Sequence, residues 1–444
     1  MIERALLAPY CVERNATATL RTQDCDPPQS AMDTRLLPRP GSSYQSKLPA
    51  APAPWEHAEQ DGAEALMSGV PSLQKLICGF LARNLHALAV LDDLPEHLAE
   101  EVRAAIQRDR KRLDDDGLGV WLDAVLTSGD TRQLSLRWAQ SLGDSGLGLL
   151  RERQSWASNL IALDLGYCER ITDAGMAALC PQLESLVTLS LCGCRGCGDG
   201  TATALGRHCR RLSSLNMELL QKLSDIGVQS VVRGCPSLVE LLLGGCTRLS
   251  NISISIIADH LAPTLRRLGL GGLASASDVD MEDVGKIKGL QWLELRACAK
   301  VSDAGVKQIG LLVTRQNKAL AQWEASRGGG DAAAAAVAGG APPPPVLSHL
   351  DLGGLQRLSD EALQKLTSRA RHLASLDLRG CGRLTEGGLT AALASRTIDG
   401  VQSAPELAMP CLRVLTLTAC PAASEAALRI IREARPSVDV VTSR

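Results

Sequence analysis

One frame recurs along the chain and constrains everything else. It reads Leu160-Ile161-Ala162-Leu163-Asp164-Leu165-Gly166-Tyr167-Cys168, then Ile171-Thr172-Asp173-Ala174-Gly175. It returns as Leu290-Gln291-Trp292-Leu293-Glu294-Leu295-Arg296-Ala297-Cys298, then Val301-Ser302-Asp303-Ala304-Gly305. Taking the middle leucine of each L-x-L as a marker gives Leu134, Leu163, Leu189, Leu215, Leu241, Leu268, Leu293, Leu350, Leu376 and Leu415. The central spacings are 26, 26, 26, 27 and 25 residues. A regular period of this length means stacked supersecondary units, each burying its apolar face against the next.

The frame is a leucine-rich-repeat pattern, with one strand and one helix per turn. The two leucines of L-x-L leave the strand on the same side and enter the core. The Cys three residues after the second leucine (Cys168, Cys194, Cys246, Cys298, Cys381, Cys420) turns the chain off the strand with a small apolar side chain. The Ser/Thr-Asp or Ser/Thr-Glu step that follows starts the helix, the hydroxyl capping free N–H groups and the acid suiting the positive helix end. The expected fold is an α/β right-handed leucine-rich-repeat solenoid, a horseshoe of about ten 26-residue repeats with a helical N-terminal cap.

Three regions follow. Residues 1–68 form a Pro/Ala/Ser-rich tail without periodicity, as in Leu48-Pro49-Ala50-Ala51-Pro52-Ala53-Pro54, and are expected to be disordered. Residues 69–128 carry helical spacing, with Leu73, Leu76, Ile77, Phe80 and Leu81 in one run and Leu98, Val102 and Ile106 in another. They are expected to cap the open apolar end of the first repeat. Residues 129–444 hold the repeats, with low-complexity inserts expected to loop out at 315–345 and 397–409.

Charge and composition narrow the function. The chain has 47 basic and 49 acidic residues, so no overall bias favours nucleic acid or anionic membrane. One Phe, three Tyr and six Trp offer few stacking platforms for single strands. Fifteen cysteines might indicate an oxidised scaffold, but the number is odd and several sit at the fixed repeat position. With no signal-peptide core in Met1–Leu20 and no apolar span long enough for a membrane, a nuclear or cytoplasmic location is expected.

Two local motifs have structural readings that outweigh their chemical ones. Gly143-Asp144-Ser145-Gly146 copies a serine-protease nucleophile sequence, but it occupies the helix start of its repeat. Cys192, Cys194 and Cys197, with His208 and Cys209 beyond, lack the paired C-x-x-C spacing of a zinc site. The chain is therefore expected to be no enzyme and to need no cofactor or metal.

The cysteine-containing repeats resemble those of F-box/LRR proteins and their relatives, mostly substrate receptors of ubiquitin ligases, over about Thr131–Arg444. The front end is similar to the Rad-seven family of leucine-rich-repeat proteins. It carries Ser72-Leu73-Gln74-Lys75-Leu76-Ile77-Cys78, then Asp92-Asp93-Leu94-Pro95, then Asp109-Arg110-Lys111-Arg112-Leu113, leading to Gln133-Leu134-Ser135-Leu136-Arg137-Trp138. That resemblance implies a subunit of a cullin-type ubiquitin ligase in global-genome nucleotide-excision repair. It also implies docking of an elongin-C-like or Skp-like adaptor through Leu73, Leu76, Ile77, Leu81, Leu94 and Pro95. Ile77 stands where the elongin-C-binding helix prefers Cys, and Cys78 falls one place late. An amphipathic capping helix accounts for the same periodicity, and a general interaction scaffold with no ubiquitin role is the alternative for the whole chain.

The residues flanking the buried leucines are expected to line the concave face. They include Arg267, Trp292, Glu294, Arg296, His349, Asp351, Asp377 and Arg379. From Ala162 to Thr418 these positions hold six acids and three arginines, which argues against a phosphate track and for a protein partner. Trp292 is the expected anchor.

Overall fold

In the computed structural model, the described residues are 115, 118–119, 132–152, 157–326, 342–394, 396–397, 406–407 and 409–442. All lie in the compact unit Val70–Arg444. The tail 1–68 and the docking positions Leu73, Leu76, Ile77, Leu81, Leu94 and Pro95 fall outside them.

The expected solenoid forms. Strands β1 (Gln133–Ser135), β2 (Ala162–Asp164), β3 (Thr188–Ser190), β4 (Ser214–Asn216) and β5 (Glu240–Leu242) follow one another. Next come β6 (Arg267–Gly269), β7 (Trp292–Glu294), β8 (His349–Asp351) and β9 (Ser375–Asp377). After a short antiparallel pair, β10 (Arg396–Thr397) with β11 (Glu406–Leu407), the chain rejoins the sheet at β12 (Val414–Thr416) and β13 (Asp439–Val441). The main sheet has 11 strands, all parallel neighbours in chain order. Every marker leucine pairs with the next, from Leu134 opposite Leu163 to Leu376 opposite Leu415. A helix returns the chain between most strands, and successive helices pack side by side behind the sheet.

The repeat cysteine does more than fill space. The Cys168 thiol donates to the Leu136 carbonyl at 3.1 Å, Cys194 to Leu165 at 3.0 Å, Cys246 to Met217 at 3.0 Å and Cys298 to Leu270 at 3.2 Å. Each satisfies a carbonyl of the preceding repeat. Burial pushes the Cys168 and Cys246 thiols up to about 12, so they are poor nucleophiles.

The aspartate at each helix start carries a second linkage. Its own repeat's Ser/Thr caps the helix, as Thr172 accepts from the Ala174 N–H at 3.2 Å. Its carboxylate instead crosses to the next repeat. Asp144 accepts the Thr172 N–H at 2.8 Å and hydroxyl at 2.6 Å. Asp199 does the same to Ser224, Asp225 to Ser250, Asp278 to Ser302, Asp303 to Ser359 and Asp360 to Thr385. Where the cap is glycine, a later hydroxyl replaces it. Asp173 holds the Gly198 N–H and the Thr201 hydroxyl, and Asp115 holds the Gly143 N–H and the Ser145 hydroxyl. Gly175 is required because a Cβ there would fall inside the Asp144 carboxylate. Within the array the ladder breaks where Asn251 replaces the acid; Ser277 is then held by Asp280 of its own repeat at 2.8 and 2.7 Å. The last rung is Asp360 to Thr385.

The elements add detail to the boundaries of the sequence reading. The array's bonding reaches back to Asp115 and Leu118 is fully buried, contacts that a cap on the first repeat would make. The helix Asp303–Ala325 is 23 residues long, and its part from Arg315 onward lies in the 315–345 insert. Its Gln316 is buried, donating to the Lys288 and Leu290 carbonyls at 2.9 and 2.8 Å and accepting the Leu347 N–H at 2.9 Å. Those partners reward helix where composition favoured loop. Finally, β13 adds an eleventh strand, with Val440 opposite Leu415, although it carries no L-x-L.

Removing one rung tests the ladder. Asp173→Ala leaves three donors without their acceptor, and the unfolding free energy in urea at neutral pH should fall by about 2 kcal/mol. Burial alone pushes the Asp173 carboxyl up, but the Thr201 hydroxyl and the N–H groups of Thr201, Gly198 and Gly200 outweigh it and hold it below the usual range. A depressed carboxyl stabilises above its unfolded value, near about pH 4, and loses that contribution as pH falls through its folded value. The stability difference between wild type and Asp173→Ala should therefore shrink as pH is lowered through this window.

Candidate functional site

The sheet face away from the helices is built from three columns of side chains. They lie one before, one after and three after each marker leucine. Because the leucines pair in register, each column becomes a row across neighbouring strands. Arg267 on β6, Trp292 on β7 and His349 on β8 are consecutive partners in one row. Glu294, Asp351 and Asp377 on β7, β8 and β9 are consecutive partners in the next. Arg296 and Arg379 follow their strands by two residues, so the eight expected residues share four adjacent strands.

Their electrostatics are tightly interlocked. The Arg267 Nε lies 3.0 Å from Glu240, and its guanidinium sits 5.1 Å from the Trp292 ring centre, a cation–π distance. The Arg379 Nε donates to Asp377 at 2.8 Å, and Arg296 approaches Glu294 at 4.0 Å. Asp351 accepts the Gly353 N–H at 2.8 Å. Burial, then the facing Asp377, pushes the Asp351 carboxyl up to about 6 against the pull of that N–H, Arg379 and Arg296. Burial and Arg267 hold His349 below its usual range.

The first repeat adds Gln133, Ser135 and Arg137 to this face, which the sequence reading began only at Ala162. Arg137 lies 3.7 Å from Asp164 and 5.2 Å from the Tyr167 ring centre. Trp138 and Tyr167 stack with centroids 3.9 Å apart and planes 5° apart. Both lie four residues after a marker leucine, a place where all ten repeats have positive φ. That is what a turn with a left-handed third residue demands, and five repeats meet it with glycine. Gly193 must be glycine, because a Cβ there would sit 2.7 Å from the Tyr167 ring. Trp138 and Tyr167 accept the strain, with φ of 71° and 63°. Aligning the repeats by their marker leucines exposes this column, since its glycines mark the conformation.

The remaining motifs serve the fold. The protease-like Asp144 starts the helix Asp144–Glu152, and its carboxylate holds Thr172. The Cys194 and Cys197 thiols point at the Leu165 and Ile171 carbonyls.

A family model described as "Leucine Rich repeat" matches residues 157–180, the turn that contains β2. The fold is a leucine-rich-repeat solenoid. Among curated relatives, F-box/LRR-repeat protein 4 of Bos taurus is 32% identical over 88 residues, which is 19% of this chain and 14% of that protein. F-box protein SKIP1 of Arabidopsis thaliana is 29% identical over 140 residues, covering 28% of this chain and 45% of that protein. EEED8.10 of Caenorhabditis elegans, which carries an RNA-binding protein name, is 28% identical over 152 residues, 33% of this chain and 20% of that protein. The chain thus spans less than half the length of each of these relatives. The solved structure of the Rad7 and Elc1 complex in yeast aligns with 15% identity and a TM-score of 0.42, covering 83% of this chain and 92% of that one. With a TM-score below 0.5, the leucine-rich-repeat assignment rests on the strand register instead.

Asp351 offers a direct test of the face. A raised carboxyl destabilises once pH exceeds its unfolded value near about 4, fully above its folded value of about 6. Asp351→Asn keeps an acceptor for Gly353 without the charge. It should raise the unfolding free energy by about 1–2 kcal/mol at neutral pH, allowing for partial exposure, and by almost nothing near about pH 4.

Proposed function

We propose that this chain is a non-enzymatic substrate-recognition adaptor of a cullin-type ubiquitin ligase, holding a protein partner on the concave face of its sheet. The observation that carries the reading is the row Arg267–Trp292–His349 beside the row Glu294–Asp351–Asp377. Aromatic and arginine side chains dominate protein interfaces. A partly buried carboxylate kept at a cost to stability is a feature of functional surfaces. The names of the F-box relatives support the ligase half of the proposal. The finer reading places the adaptor in nucleotide-excision repair, in the nucleus, and docks an elongin-C-like or Skp-like protein through Leu73, Leu76, Ile77, Leu81, Leu94 and Pro95. It rests on the resemblance of the front end. Among the described residues no helix is long and apolar enough to cross a membrane.

Two variants of the full chain separate the two halves. A deletion through residue 128 would remove Asp115 and the buried Leu118, so substitution is the better tool. Affinity purification of the intact chain should recover an elongin-C-like or Skp-like protein, a cullin and a further partner. Leu73→Asp with Leu76→Asp should lose the ligase subunits and keep the partner. Trp292→Ala should weaken the partner by about tenfold or more and keep the ligase subunits. An intact chain that recovers neither adaptor nor cullin would refute the ligase reading, leaving the general scaffold.

A further inference from the structure

The position after each ladder aspartate is exposed at the helix N-terminal edge of the solenoid. Through most of the array it is small or polar: Ser145, Ala174, Gly200, Ala304, Glu361, Gly387 and Ala426. In three consecutive repeats it is bulky and aliphatic instead. Ile226, Ile252 and Val279 are 68, 56 and 72% exposed. Leu219, in the turn leading to Ile226, is 44% exposed. Isolated exposed aliphatics need no explanation, but a row on neighbouring repeats does.

Two cations flank this row. Lys222 and Arg248, four residues before Ile226 and Ile252, are exposed. Their hydrogen bonds among the described residues go to backbone, Lys222 to the Gly196 carbonyl and Arg248 to the Lys222 carbonyl, each at 3.5 Å. The helix-start acids of these repeats turn inward: Asp225 accepts from Ser250 and Ser253, Asp278 from Ser302 and Gly305, and Asp280 from Ser277. The exposed acids Asp259 and Glu282 face Lys286 and Gln308. At the centre of the row the ladder acid is missing, because Asn251 stands in its place.

We infer that this edge is a second docking surface, taking a short amphipathic segment of a partner protein whose aliphatic stripe is flanked by acidic residues. The aliphatic row receives the stripe, and Lys222 and Arg248 receive the acids. Strands lie about 4.8 Å apart and packed helices about 8–10 Å apart, so three repeats span roughly 10–20 Å. That matches two to four turns of helix. An anionic membrane or a nucleic acid would meet the same cations. The aliphatic row gives bases nothing to stack on, and its three repeats suit a peptide-sized stripe.

The test pans a displayed library of short random peptides against the full chain. Enriched peptides should combine an apolar stripe with net negative charge and bind more weakly as salt rises. Their affinity should fall about tenfold with Ile252→Asp and with Arg248→Glu, both at exposed positions, and hold with Ile430→Asp at a distant exposed site. Peptides indifferent to Ile252 and Arg248, or a library without enrichment, would overturn the inference. So would Ile252- and Arg248-dependent capture of the chain by phosphatidylserine vesicles or duplex DNA in place of peptides.

Discussion

The carboxylate that leaves one repeat to bind the cap of the next is the interaction on which the rest depends. A repeat of this size cannot bury its own apolar face, so its neighbours must be held at a fixed height and angle. Leucine burial supplies free energy but little direction. The Asp144–Thr172 type of rung supplies direction, because one acceptor must satisfy an N–H and a hydroxyl together. The thiol-to-carbonyl bond of Cys168 or Cys298 repeats the logic on the strand side. With both edges tied, residues 26 apart in sequence become neighbours in a row, which is what allows one continuous face of side chains to be written across many strands.

That face spends stability that the rungs supply. Asp351 and Asp377 face each other on paired strands, and Asp351 is also partly buried. Arg296 and Arg379 offset the repulsion incompletely.

Much of this was legible beforehand. The leucine spacing located ten strands to the residue, and the Ser/Thr-Asp step located the helix starts. Both are short-range signals repeated often enough to reinforce each other. The crossing of Asp173 to Gly198 and Thr201 was not legible, because a helix-start aspartate has a sufficient local explanation. The left-handed backbone at Trp138 and Tyr167, residue types that ordinarily avoid it, is readable only through the glycines that fill the same column in other repeats. Helix through Gln316 and strand at Val440 owe their form to neighbours already in place, a tertiary effect that composition cannot carry. Of the site, the columns were readable, but the rise in Asp351 depends on burial and on a facing residue 26 positions away.

The most direct measurement places a photo-cross-linking amino acid at position 292 of the full chain, and separately at position 364 on an exposed helix face. Irradiation in native extract should join position 292 to a discrete protein partner, while position 364 yields no such product. Silence at 292, or the same product from 364, would contradict a partner-binding concave face.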